Sequence, residues 1–75
     1  MSEIKQEDFL NKLSKRLVKL RKDKGFTQDK LAREAGLDRA ALANIETGRR
    51  RPTVITLYKI SRALKLSMSD IFKDL

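Results

Sequence analysis

Apolar residues recur three or four positions apart in five successive stretches of the chain, the spacing of one helix face turned to a core. From about Lys5 to Lys24, the residues Phe9, Leu13, Leu17 and Leu20 form a single apolar stripe on a charged segment, which Gly25 ends. A second helix starts at the N-cap Thr27, buries Leu31, Ala32 and Ala35, and stops at Gly36. A third starts at the N-cap Asp38 and ends at Gly48. The fourth follows Pro52, is capped by Thr53, and is expected to carry Val54, Leu57, Ile60 and Leu64 inward. The fifth opens with Ser67 and Asp70, spaced as a capping box, and carries Ile71, Phe72 and Leu75. No alternating β-branched run and no Asn-Gly or Asp-Gly turn is present. The expected fold is all-α: a compact bundle of about five helices forming one domain over residues 1–75.

The pattern is most specific over residues 27–48, TQDKLAREAGLDRAALANIETG. Only Gly36 and Leu37 separate the second and third helices. Gly36 permits a sharp turn that a side chain would resist, and Ala32 is small where the two helices must approach. Leu31, Ala35, Leu37, Leu42 and Ile45 supply contacts that fix the angle between them. This is the spacing of a helix–turn–helix, whose second helix enters the major groove of DNA. At about 100° per residue, positions 39, 40, 43, 44 and 47 of the third helix share an arc of roughly 140°. That face reads Arg39, Ala40, Ala43, Asn44 and Thr47, and the opposite face reads Ala41, Leu42 and Ile45. Arg39 has the fork that matches guanine O6 and N7, Asn44 the amide that matches adenine N6 and N7, and the Ala40 methyl can meet a thymine methyl.

Composition narrows the function. The chain has 75 residues, with no Cys and no His. The usual general base, thiol nucleophile and zinc ligands are missing, so neither an enzyme nor a metal site is expected, and no cofactor is implied. No G-x-G-x-x-G or Walker pattern occurs. No long apolar run marks a membrane span or a signal peptide, which makes the cytosol the default location. The 18 Lys and Arg outweigh the 10 Asp and Glu for a net charge of +8. The excess is concentrated: residues 12–33 sum to +7, and Arg49, Arg50 and Arg51 stand together. A fixed polyanion suits such a field.

The run Arg21…Gly25-Phe26-Thr27-Gln28, the pairs Leu31-Ala32 and Ala35-Gly36, Ile45-Glu46-x-Gly48 and Arg51-Pro52-Thr53 together resemble the phage repressor and Cro-type helix–turn–helix regulators. These are also called the xenobiotic-response-element family. The resemblance covers roughly residues 12–72. It implies a lambda-repressor-like five-helix domain, encoded by a bacterium or phage, that binds double-stranded operator DNA as a two-fold homodimer. Arg39, Ala40, Ala43 and Asn44 match positions that face base edges. Where family members often carry a polar side chain at the second of these, this chain has Ala40, which shifts the weight to Arg39. Gln28 resembles a glutamine that bonds a phosphate and braces the front of the recognition helix. Thr27, Thr47, Arg49, Arg50 and Arg51 complete the phosphate-binding set. Glu46 and Arg21 match an acid and a base that join the third helix to the first as a structural ion pair.

One domain covers only one half-site, and two half-sites lie about 34 Å apart, one turn of DNA. The expected dimer region is about residues 64–75, through Leu66, Met68, Ile71, Phe72 and Leu75. Self-association would also steady a chain whose core alone rarely supplies more than ~3–5 kcal/mol. With no sensor domain, no small-molecule effector is expected. Among small members of the family, controllers of restriction–modification systems and phage repressors both look similar to this chain. Two other readings compete: an antitoxin-like module whose helix–turn–helix assembles a protein complex, and a basic amphipathic binder of membrane surfaces. The second needs the first helix's apolar stripe exposed, whereas the core requires it.

Overall fold

The computed structural model describes residues 5–75; the first four residues of the predicted 1–75 domain lie outside the described residues. Five helices follow one another: α1 Gln6–Asp23, α2 Gln28–Ala35, α3 Arg39–Glu46, α4 Val54–Ala63 and α5 Met68–Ile71. No strand occurs among the described residues. α3 packs between α1 and α2, α2 also lies on α4, and α5 closes the bundle against α1 and α4. The core is formed by Leu13, Leu17 and Leu20 of α1, Leu31 and Ala32 of α2, Leu42 and Ile45 of α3, Leu57, Ile60 and Leu64, and Ile71.

Local chemistry sets the helix ends. Thr27 Oγ1 accepts the Lys30 N–H at 3.1 Å and Thr53 Oγ1 the Thr56 N–H at 3.0 Å, so two orphan donors are satisfied. Ser67 and Asp70 form a full capping box, with the Asp70 N–H on Ser67 Oγ at 3.1 Å and the Ser67 N–H on Asp70 Oδ2 at 2.9 Å. α2 ends on Gly36 at φ 67°, where the Leu37 N–H reaches back to the Ala32 carbonyl at 2.8 Å. Asp38 stands at the N-cap of α3 but makes no side-chain capping bond.

Three expectations fail. Val54, placed inward by its spacing to Leu57, is 73% exposed, because the first turn of α4 projects past the core. Phe9 is exposed too: residues 5–9 all face solvent, so α1 outruns the bundle at its start. Its ring instead stacks on Phe72, with centroids 6.4 Å apart and planes 9° from parallel. Ile71, assigned to a dimer surface, is wholly buried in the core. Leu66, Met68 and Leu75 pack against that core while half-buried, so of the five residues assigned to the dimer only Phe72 is exposed. Apolar character alone does not separate a core residue from an interface residue at a chain end. α5 is also pinned from outside, since Arg16 Nε and Nη2 donate to the Asp70 carbonyl at 3.2 and 2.7 Å.

Candidate nucleic-acid interface

The geometry of α3 divides its eight residues. Leu42 and Ile45 are buried at 0% and 2% exposure, and Glu46 lies beside them at 8%. Arg39 and Ala40 are exposed, Ala43 and Asn44 half-buried, and Thr47 exposed at the C-cap. Arg39, Ala40, Ala43, Asn44 and Thr47 therefore share the outward side, with two small methyls between the polar groups. Such a face lets the helix axis approach a groove floor closely.

A carboxylate fixes the far end of this helix. Arg21 of α1 donates from Nε to Glu46 Oε2 at 2.7 Å and from Nη2 to Glu46 Oε1 at 3.0 Å, a bidentate pair. The two side chains are 11% and 3% exposed. The third Arg21 nitrogen, Nη1, donates to the Phe26 carbonyl at 2.8 Å, tying the α1–α2 turn into the same knot. Gln28 Nε2 adds a bond to Glu46 Oε1 at 2.9 Å. Three helices thus meet on one carboxylate. The amide nitrogen of Gln28, a residue expected to bond a phosphate and to brace the front of α3, braces the helix's last residue. Gln28 opens α2 beside the end of α3, and the buried Glu46 carboxylate needs a second donor there.

The loop after α3 turns at Gly48, φ 79°, whose backbone lies over Asn11 and Ser14 of α1: a Cβ there would sit 3.5 Å from Asn11 Oδ1 and 3.6 Å from Ser14 Oγ. The Arg49 and Arg50 N–H groups both donate to the Asn44 carbonyl, at 2.9 and 3.1 Å, so the loop folds back on the end of α3. This leaves the side chains of Arg49, Arg50 and Arg51 exposed. Thr47 Oγ1 donates to the Asn44 carbonyl at 3.2 Å. Thr27 keeps its O–H free to donate while its oxygen caps α2.

Sequence reasoning missed one contact and one surface here. Asp29, in the first turn of α2, places Oδ1 3.2 Å from Arg39 Nε. Ten positions separate the two, and only the angle of the turn brings them together. Val54, Ile55 and Tyr58 were also missed as a surface, and they expose 73%, 68% and 54% of themselves on one side of α4. Among the described residues no three His, Cys, Asp or Glu side chains gather as a metal-ligand set, and no helix is long and apolar enough to cross a membrane.

Known proteins share this arrangement. A family model described as helix-turn-helix matches residues 17–71. An uncharacterized HTH-type transcriptional regulator of Sinorhizobium fredii, y4dJ, is 41% identical over 54 residues, covering 72% of this chain and 70% of that protein. The control protein C.MunI of a Mycoplasma species is 35% identical over 69 residues, covering 91% and 93% of the two chains. The crystal structure of the restriction–modification controller protein C.AhdI from Aeromonas hydrophila superposes with a TM-score of 0.82 at 35% identity, covering 84% of this chain and 96% of that one. With its buried Leu42 and Ile45, its sharp Gly36 turn and a family match that runs from the last turns of α1 to the end of α5, this chain belongs to the helix-turn-helix family.

Proposed function

We propose that this protein is a sequence-specific, DNA-binding transcriptional regulator that acts as a homodimer on a two-fold operator. The observation that carries the reading is the division of α3, with its core face locked through Glu46 and a face of Arg39, Ala40, Ala43 and Asn44 turned outward. In this reading those four side chains meet base edges, and Thr27, Thr47, Arg49, Arg50 and Arg51 hold phosphates, with Gln28 joining them through its remaining amide hydrogen and oxygen. Similarity to a control protein and to a restriction–modification controller along nearly the whole length favours the controller type of regulator. Phe72, with Leu75, Met68 and Leu66 at its edge, remains the α5 surface for a second copy, and the exposed Val54, Ile55 and Tyr58 enlarge the candidate area. Ile71 is withdrawn from it. The role is binding rather than catalysis, in the cytoplasm.

Selection of a random duplex library by the purified protein at about 150 mM salt tests this, because non-specific binding weakens steeply with salt while a specific site outlasts it. A palindrome with half-sites about one helical turn apart is the expected result. Arg39→Ala should then cost ~1–3 kcal/mol on the recovered site and little on random duplex. Arg50→Ala should weaken both alike and flatten the salt slope by about one unit. Recovery of no motif, with binding lost at moderate salt, would sink the reading and turn the search to a protein partner.

A further inference from the structure

We infer that Asp29 is a positioning residue for DNA recognition: it aims the Arg39 guanidinium so that its two terminal nitrogens point together at one base. The inference rests on the reading of α3 as the recognition helix and deepens it, by assigning a specificity role to a residue of α2.

Arg39 is the first residue of α3, and a cation there faces the positive end of the helix dipole. α3 carries no acid in its first turn, and Asp38 offers no side-chain capping bond. Besides the Asp38 carboxylate at the N-cap, a charge from the neighbouring helix meets this cation directly, through Asp29 Oδ1 at 3.2 Å from Arg39 Nε. The atom chosen matters. Bidentate reading of guanine uses two parallel N–H groups, and a carboxylate beside Nε leaves the outer edge formed by the two Nη groups open for it. A long arginine side chain otherwise surrenders rotamer freedom on meeting a base. The pair is 65% and 66% exposed, so it does little for folding. It lies at the start of both helices of the helix–turn–helix, at the opposite end of α3 from the Arg21–Glu46 pair.

A mere surface charge predicts the opposite sign. Near DNA an aspartate repels phosphates, so its neutralisation should tighten binding to every duplex alike. A positioning residue predicts that random duplex gains while the read site loses.

The test uses wild type, Asp29→Asn and Arg39→Ala, each exposed to the same random duplex library. Binding is then measured to the wild-type consensus duplex and to a copy with the base pair read by Arg39 replaced. The preference for the consensus should vanish in Arg39→Ala. In Asp29→Asn it should fall by about two- to fivefold, within what an exposed ion pair commands. In the Arg39→Ala background, Asp29→Asn should change both affinities by the same factor. Loss of folded protein would lower both affinities together and leave their ratio intact. If Arg39→Ala abolishes the preference and Asp29→Asn leaves it unchanged, or raises it, the positioning role is wrong while the recognition helix stands. If wild type recovers no motif, or Arg39→Ala weakens both duplexes alike, the assignment of Arg39 as a base reader fails and takes the role of Asp29 with it.

Discussion

The two ends of α3 are each tied to another helix by an arginine and a carboxylate, and the surroundings of the two pairs could hardly differ more. At the C-terminal end, Arg21 and Glu46 meet through two bonds at 11% and 3% exposure, with Gln28 and the Phe26 carbonyl completing the set. At the N-terminal end, Arg39 and Asp29 touch through one nitrogen at 65% and 66% exposure. Geometry and desolvation, rather than the chemistry of the partners, decide what such a pair does. The enclosed one holds three helices in register, and losing one member leaves a nearly buried charge without its counter-charge. The open one is screened and contributes little to folding, which frees its arginine for other work.

That contrast breaks most visibly at Glu46. Glu46→Ala should lower the unfolding free energy by about 3 kcal/mol, since it strands a nearly buried guanidinium. The double change Arg21→Met with Glu46→Leu should recover most of the loss, as urea unfolding followed by circular dichroism would show. Arg39→Ala and Asp29→Ala, in the same assay, should each stay within about 1 kcal/mol of wild type. Equal losses at the two ends would overturn the distinction.

The starts of α2 and α3 sharpen the comparison at a smaller scale. Thr27 caps α2 with a bond from the Lys30 N–H, and Asp38 makes no such bond at α3. Thr27→Ala should cost about 1 kcal/mol. Asp38→Ala should cost less, although aspartate is ordinarily as good a cap as threonine, and a thermal melt of both variants resolves the order. A third carboxylate supplies the smallest effect. The Ser67 N–H and hydroxyl hold the Asp70 pKa below its ordinary 3.8, against a smaller opposing effect of desolvation and with weaker help still from Lys73 and Arg16. A lowered folded-state pKa stabilises fully above the ordinary value, and the gain is lost as pH falls through the lowered one. Between about pH 5 and pH 2, wild type should therefore lose slightly more stability than Asp70→Asn. Parallel acid titrations of unfolding would show the two curves converging if this holds.

Much of this architecture is written locally. Thr27, Thr53 and Ser67 are caps whose bonds are made with residues three positions on, so their sequence spacing carries the whole geometry. Gly36 is equally legible, because a two-residue link between helices demands the positive φ it adopts. What escaped depends on how long each helix is relative to the core it covers. Phe9 and Val54 have the right phase and lie too near a helix start to reach the interior. Ile71 and Phe72 are neighbours of similar hydrophobicity, and only the docking of α5 under Arg16 decides that one is covered and the other is not. In the candidate site, the outward set of α3 follows from a 100° rotation per residue. The Asp29–Arg39 contact and the hold of Gln28 on Glu46 do not, since both depend on an interhelical angle that no spacing encodes.

The division of labour along α3 has an evolutionary reading as well. The side chains of Ala40 and Ala43 make no hydrogen bond in the fold; Ala40 is exposed and Ala43 half-buried, and surface substitutions away from such bonds usually move stability by no more than ~0.5 kcal/mol. A duplicated gene can drift at these two positions, one residue at a time, without passing through an unfolded ancestor. Position 46 has no such freedom, because a change there must be matched at least at Arg21 on α1. Descendants of this chain would diverge first in the surface they present, and only much later in the scaffold behind it.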